Sequence, residues 1–242
     1  MKSGDRELIV EAAKKYYNKG RYEESVLLYE KAGTLSTEVS QTKDITYKTA
    51  EANMAAENYL TASHQFNVYH VNYSSSPLAQ EALFQSAVCL YKISPEYNLD
   101  PTHTQEAINK FQSFADTYPD SEKLPEVNKK IEELRKKLEQ KSYELAKLFF
   151  KIENFKSSSV AFKNFLNDFP DTKNKEESMY LICKSDYNLF IKSINQKKEE
   201  RAKEALFSFK NFDNAFPQSN YQKELKELKE NLIKEQKQIT TL

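Results

Sequence analysis

The chain has 242 residues, 39% of them apolar and 30% charged, with 15 Tyr, 15 Phe, only three Gly, and 36 basic residues against 36 acidic ones. This apolar and aromatic share supplies a core and excludes a disordered tail, while the scarcity of glycine excludes hairpin-rich sheets and points to helices throughout. Zero net charge removes the electrostatic basis for nucleic-acid binding, and no stretch reaches the roughly 18 apolar residues that would cross a bilayer.

The opening MKSGDREL has no apolar signal-peptide core. The first amphipathic segment, LIVEAAKKYY from Leu8, runs into a turn, KGRY at 19–22, and a second segment carries YEKAGTLST from Tyr29. A second pair follows: KTAEANMAAENY from Lys48, the turn AENY at 56–59, then FNVYHVNYSSSP from Phe66. In the third pair KISPEYNLDPTHTQEA, from Lys92, inserts two prolines between the helices before FQSFADTYPDSE from Phe111. Between Lys123 and Ile152, Ile131, Leu134, Leu138, Leu145, Leu148 and Ile152 fall at coiled-coil-like spacings, interrupted by Lys141; the expectation is one long helix joining two groups of repeats. SYELAKLFFKIENF from Ser142, with a turn at 152–155, leads to FKNFLNDFPDTK from Phe162. SINQKKEERAKEA from Ser193 lengthens the fifth pair before FKNFDNAFPQSN from Phe209, and a closing helix is expected from about Tyr221 to Lys237.

The repeated phrase has one physical grammar. Phe111 and Phe114, Phe162 and Phe165, and Phe209 and Phe212 stand at i, i+3, each pair preceded by a small residue, Ala107, Ser158 or Ala205, on the same helix face. Tyr118, Phe169 or Phe216, just before proline, closes the helix. Asp120-Ser121, Asp171-Thr172 and Gln218-Ser219 then offer side-chain oxygens to start the next one. The small residues Ala13, Ala50, Ala87 and Ala146 mark where two helices approach closely. The expected fold is an all-α solenoid of about five helical hairpins plus a C-terminal helix, some eleven helices in all.

At these positions the sequence resembles the tetratricopeptide repeat. The order of units, the passage YNLDPTHTQEAINKFQSFADTYPDS, the long helix, and SSSVAFKNFLNDFPDT resemble the BamD family of lipoproteins of the outer-membrane β-barrel assembly machinery. The resemblance covers about Leu8 to Lys237. It implies a non-catalytic scaffold on the periplasmic face of an outer membrane, held by an N-terminal lipid anchor. It also implies two kinds of partner: the barrel-forming subunit through its polypeptide-transport domains, and unfolded outer-membrane proteins. The family's lipidated cysteine has no counterpart, since the cysteines are Cys89 and Cys183, expected to be buried thiols too far apart to bridge. The expectation is that the anchor precedes Met1, because Met1-Lys2-Ser3-Gly4 reads like a start placed just before the fold.

Nothing in the sequence marks an enzyme. His64, His70 and His103 form no helical ligand pair, and there is no glycine-rich phosphate loop, GxSxG or CxxC; no cofactor is expected. A solenoid works by its concave surface, lined by the first helix of each hairpin. Counted in register, that lining is Val10, Lys14 and Tyr17, then Tyr47, Glu51 and Met54, then Phe84, Val88 and Tyr91. Such a groove suits an extended peptide with apolar side chains, with Lys14 and Lys92 available to a terminal carboxylate; the alternative is that these aromatics only join unit to unit. The family resemblance implies that the first repeats hold the C-terminal signal of nascent barrel proteins. Residues 1–123 carry 12 basic and 17 acidic side chains and residues 124–242 carry 24 and 19, so 1–123 is read as the substrate-binding half. Residues 124–242 are read as the half that docks the barrel subunit, with Lys197, Lys198 and Arg201 at the rim. The competing readings are a periplasmic repeat adaptor of cell-wall synthesis and envelope constriction, and a cytoplasmic co-chaperone.

Overall fold

The computed structural model describes residues 3–36 and 39–240. Thr37, which ends the faintest copy of the repeated phrase, and the start at Met1-Lys2 lie outside the described residues. Among those described there are eleven helices and no strand: α1 (Ser3–Asn18), α2 (Tyr22–Thr34), α3 (Val39–Ala55), α4 (Tyr59–Asn72), α5 (Ala79–Ile93), α6 (Thr102–Thr117), α7 (Leu124–Lys151), α8 (Phe155–Asp168), α9 (Lys175–Ile191), α10 (Asn195–Ala215) and α11 (Gln222–Thr240). The expected solenoid of helical hairpins and the closing helix are both present.

Three hairpins turn through the same device. Gly20, Glu57 and Glu153 take φ of +73°, +63° and +60°, and the next amide reaches back five residues: Arg21 to the Tyr16 carbonyl at 3.0 Å, Asn58 to Asn53 at 2.9 Å, Asn154 to Phe149 at 2.9 Å. This pattern consumes carbonyls that a helix end leaves unpaired. The aromatic one residue further on then packs back, Tyr22 with its ring 5.2 Å from Tyr17 and Phe155 5.7 Å from Phe150. Left-handed geometry is cheap for Gly20 and costs about 1–2 kcal/mol where a side chain is present.

The outer ends share a second device. Tyr73, Tyr118, Phe169 and Phe216 leave the helix at φ near −130° with their amides still bonded to the residue four back. Their rings lie 5.1–5.6 Å from Tyr69, Phe114, Phe165 and Phe212, the preceding aromatics of the stripe. Three residues on, Ser76, Ser121, Thr172 and Ser219 donate their amides to those terminal carbonyls, and their hydroxyls accept the amide two residues further. The side-chain oxygens foreseen at these points therefore act one turn before the next helix, as hydroxyl turns that aim the chain into it.

Between helices the small residues do what their size permits. Ala13, Ala50, Ala87 and Ala146 are fully buried, as are Ala107, Ser158 and Ala205, and Phe111, Phe162 and Phe209 fill the space beside them. Ser25 Oγ donates to the Ala13 carbonyl at 3.0 Å and Ser158 Oγ to that of Ala146 at 3.3 Å, so each buried hydroxyl is satisfied where the two helices touch.

The chain divides into two compact units, Met1–Leu138 and Glu139–Leu242, and the cut falls inside α7. In the first unit Val127, Ile131, Leu134 and Leu138 pack with Phe84, Phe111 and Phe114; in the second, Tyr143, Ala146 and Phe150 pack with Phe162 and Phe165. The apolar stripe thus changes face along α7. Leu145, Leu148 and Ile152, which sequence spacing placed on the same seam, remain about half exposed, because register with α8 and α9 is set by Tyr143, Ala146 and Phe150 instead.

Three stability predictions result. Phe162→Ala, at a fully buried site, should cost about 3–5 kcal/mol, read as a loss in chemical-denaturation free energy; a cost below about 1 kcal/mol would contradict the packing. Gly20→Ala should cost about 1 kcal/mol through backbone strain alone, since a Cβ there would meet nothing within 4 Å. Glu57→Gly should leave thermal stability unchanged or raise it, although glycine weakens an ordinary helical position.

Candidate functional site: a pocket between successive inner helices

The inner helices share a register that repeats every 37 residues within each unit: Ala13, Ala50 and Ala87 in α1, α3 and α5, then Ala146 and Cys183 in α7 and α9. The positions three before and four after these small residues are aromatic in most copies, and this spacing is what suggests a groove. The structure sorts them.

Tyr47 is buried, its ring 5.5 Å from Phe66 and 5.0 Å from Tyr69, and burial pushes its phenol upward, with Glu51 adding to the effect. Met54 packs against the same cluster, half-buried. Phe84 is buried against Phe111 and Phe114, and Lys123 Nζ of the link into α7 lies 4.3 Å above its ring while pairing with Glu81 at 3.1 Å. Tyr91 is half-exposed but engaged: its hydroxyl donates to Glu133 at 2.6 Å, and Lys130 Nζ stands 4.4 Å over the ring. That hydrogen bond raises the Tyr91 phenol and holds Glu133 below the usual carboxylate range. Lys92 is exposed. Lys137 Nζ binds the Ser94 and Pro95 carbonyls at 3.1 and 3.2 Å beyond the end of α5. The first half of α7 therefore lies over the inner face of α5, and each cation–π contact there contributes about 0.5–1 kcal/mol.

Open space remains at the other end of the first unit. A cavity of about 290 Å³ is lined by Lys14, Tyr17 and Asn18 of α1, Tyr29 of α2, and Lys48 and Glu51 of α3. It joins the predicted Lys14, Tyr17 and Glu51 to three residues that sequence reasoning passed over. Lys48 was legible in principle, as the residue two before Ala50 in the shared register. Tyr29, which begins the faintest copy of the repeated phrase, was not, because nothing in sequence shows that one edge of a buried ring borders a cavity. Burial raises the Tyr17 phenol and pushes that of Tyr29 up to about 12, with Glu51 the next cause in both. Both hydroxyls thus stay protonated donors. Lys14 Nζ pairs with Glu11 at 2.7 Å and Lys48 Nζ with Glu51 at 2.6 Å, each lysine about half exposed. Such pairs stabilise the fold by about 0–1 kcal/mol and exchange readily for another carboxylate. Chemically the pocket offers two ammonium groups, the Glu51 carboxylate paired with one of them, two phenol donors and aromatic surface.

The proposed rim residues in the second unit differ among themselves. Lys197 is exposed. Lys198 Nζ lies 3.7 Å from Glu235 and 5.4 Å from the Phe190 ring centre. Arg201 donates to the Leu189 carbonyl at 3.3 Å and to Ser193 Oγ, holding α10 to the end of α9.

Cys89 and Cys183 are buried and unpaired, and burial pushes the Cys89 thiol up to about 12 and the Cys183 thiol higher than its ordinary value, the reverse of what a nucleophile needs. Among the described residues no cluster of His, Cys, Asp and Glu could hold a metal ion, and no helix is long and apolar enough to cross a membrane.

A family model described as outer membrane lipoprotein, YfiO, matches residues 3–157 and again 139–240. No curated protein sequence matches the chain. Among solved structures, the TPR2AB domain of yeast Sti1 in its pHSP90 complex is 13% identical, with 96% of this chain and 99% of that one covered at a TM-score of 0.43. A TPR-repeat protein from Bacteroides fragilis NCTC 9343 is also 13% identical, over 94% and 97% of the two chains, at 0.42.

Proposed function

We propose, because this chain belongs to the YfiO family of outer membrane lipoproteins, the BamD family, that it is a non-catalytic periplasmic scaffold and substrate receptor of the outer-membrane β-barrel assembly machinery. In this reading it is lipid-anchored at the outer membrane, binds unfolded outer-membrane proteins through its first repeats, and binds the barrel subunit through its later ones. The observation that carries the receptor reading is the pocket between α1 and α3. An extended chain ending in an aromatic residue suits it: the terminal carboxylate meets Lys14 and exchanges with Glu51 at Lys48, the phenols of Tyr17 and Tyr29 donate to remaining lone pairs, and the terminal ring rests on aromatic surface. Burying one such ring contributes about 1.5–3 kcal/mol before ordering costs. Capture at this pocket alone is therefore weak, which suits a factor that must release its client. Of the other expected groove residues, half-buried Met54 and exposed Lys92 can extend this reading along the peptide, whereas Tyr47 and Phe84 are enclosed and hold the helices in register, and Tyr91 is engaged by Glu133 and Lys130.

The test is Lys14→Glu combined with Lys48→Glu, both exposed enough to leave the fold intact, with binding of a labelled C-terminal peptide of a barrel protein followed by fluorescence anisotropy. Affinity should fall tenfold or more, about 1.4 kcal/mol, and amidating the peptide's end should have a similar effect on the parent protein. Equal affinity in the folded double variant would overturn the receptor site.

For docking of the barrel subunit, Lys197, Lys198 and Arg201 are the proposed rim, but only Lys197 can be reversed cleanly. Lys197→Glu should slow association with the barrel subunit several-fold at low salt, with an unchanged melting temperature. Arg201→Glu should lower the melting temperature because it breaks the contact with Leu189 and Ser193. An unchanged association rate for Lys197→Glu would remove this rim from the interface.

A further inference from the structure

The 37-residue register also fixes which side of an inner helix receives the hairpin before it. In α3, α5 and α9 the positions one before and two after the small residue are Thr49 and Ala52, Ser86 and Cys89, and Ile182 and Ser185, and all six are buried. An outer helix of the preceding hairpin lies on each pair. Ala52 packs with Val26 and Tyr29 of α2. Ser86 exchanges hydrogen bonds with Ser63 of α4, and Cys89 packs in one cluster with Phe66 and Tyr69. Ser185 donates to Ser158 of α8 at 3.1 Å, and Ile182 packs with Phe162 and Phe165. In all three places the segment that covers these positions is a helix.

α1 and α7 are the first inner helices of their units, so no outer helix of the same unit precedes them. α1 ends its face with Ala12, half-buried, and Lys15, exposed, a surface suited to water. α7 does not. It carries Leu145 and Leu148 at the same two positions, 46% and 50% exposed, and Ile152 a turn further on at 60%. Beside this ridge a groove of about 540 Å³ between α7 and α8 is lined by Leu145, Phe149, Val160 and Ala161, and Lys156 is the one charged side chain lining it among the described residues. Lys156 is exposed and has no carboxylate within ion-pair distance among those residues. On the other side of the ridge, toward α9, Glu144, Lys147, Lys151 and Glu177 balance one another in sign. Leucines exposed where the fold elsewhere packs a helix, with one unmatched cation along the α8 edge, are the mark of an interaction surface rather than of a solvated face.

We propose that this α7–α8 face seats an amphipathic helix of a partner protein, laid where the outer helix of a preceding hairpin lies in α3, α5 and α9. Its stripe of small and aliphatic side chains rests on Leu145, Leu148 and Ile152, and an acidic residue on its flank meets Lys156. A helix arrives with its backbone already hydrogen-bonded. An extended chain would find no backbone partners here, because the donors and acceptors of α7 and α8 are consumed within those helices. The seat lengthens the repeat stack by one helix supplied from outside, and it needs neither the pocket between α1 and α3 nor the rim at Lys197.

The experiment uses the whole chain and three labelled peptides of about four helical turns. Two are stapled as helices with the same Leu/Ala stripe, one flanked by Glu and the other by Lys; the third repeats the Glu sequence unstapled and broken by proline. The Glu helix should bind, the Lys helix about fivefold more weakly or worse, and the proline peptide about tenfold more weakly or worse. Leu145→Asp and Leu148→Asp lie at exposed positions, and circular dichroism with a melting curve would confirm that the fold is kept. Each should weaken the Glu helix about tenfold or more, and Lys156→Glu should reverse the preference between the two helices. Lys14→Glu combined with Lys48→Glu should leave all three affinities unchanged. Failure of the Glu helix to bind, equal binding of the proline peptide, indifference to both leucine changes, or an unreversed preference in Lys156→Glu overturns the proposal. So does sedimentation of the chain alone as a dimer that Leu148→Asp disperses, which would assign the face to a second copy.

Discussion

Each hairpin of this protein depends on a helix being stopped at a fixed distance from the small residue on which its neighbour rests. At the outer ends the stop is an aromatic residue that leaves helical geometry with its amide still bonded behind it and its ring folded against the aromatic four positions earlier. Ring contact and backbone exit reinforce each other. The ring can reach its partner only if the backbone turns there, and the following proline of three copies denies the helix any continuation. A hydroxyl turn then sets the direction of the next segment. Because the stop falls at the same point of the pattern each time, the inner helices present their alanines to their neighbours in one register.

From that register comes the surface chemistry. Aromatic side chains spaced seven apart around the small residue necessarily line the face that inner helices share, and the protein covers them in different ways. Phe84 and Tyr91 lie under Lys123 and Lys130. Tyr180 stacks on Tyr221 at 4.0 Å, while its hydroxyl donates to Glu224 and Lys184 donates to it. Cavities remain between α1 and α3 and between α7 and α9. The ion pairs beside the first cavity, Lys14 with Glu11 and Lys48 with Glu51, are near neighbours on exposed helix faces. They contribute little to stability and so offer little resistance to exchange for a ligand's carboxylate. A site of this kind gains specificity from the placement of charges and affinity from several weak contacts.

Buried polar groups show where the same packing had to accommodate hydrogen bonding. Ser63 and Ser86 bond reciprocally to each other's carbonyls across α4 and α5, and buried Asp186 accepts from Ser208 at 2.6 Å and from Lys163 at 3.2 Å. These contacts sit where small side chains bring two backbones close, so a buried hydroxyl can reach an acceptor on the opposite helix and satisfy its own donor there.

Local chemistry alone specified much of this. The stops at Tyr118, Phe169 and Phe216, the turns before Tyr22, Tyr59 and Phe155, the close approaches at Ala13, Ala50, Ala87 and Ala146, and the membership of Phe111, Phe162 and Phe209 in the core all follow from residues within a few positions of one another, which is why spacing revealed them. The long helix was equally legible, but not its division. Leu138 and Leu145 look alike in sequence, and only the docking of α8 and α9 decided that the stripe changes face between them. The groove residues divided in the same manner. Lys14 and Tyr17 border open space, whereas Tyr47 and Phe84, with the same spacing and chemistry, are enclosed by Phe66, Tyr69, Phe111 and Phe114 from other helices. Periodicity fixes which face of a helix is turned toward its neighbours; whether a given side chain on that face meets a ring, a lysine or a cavity depends on chain segments far away in sequence, and that was settled only when they packed.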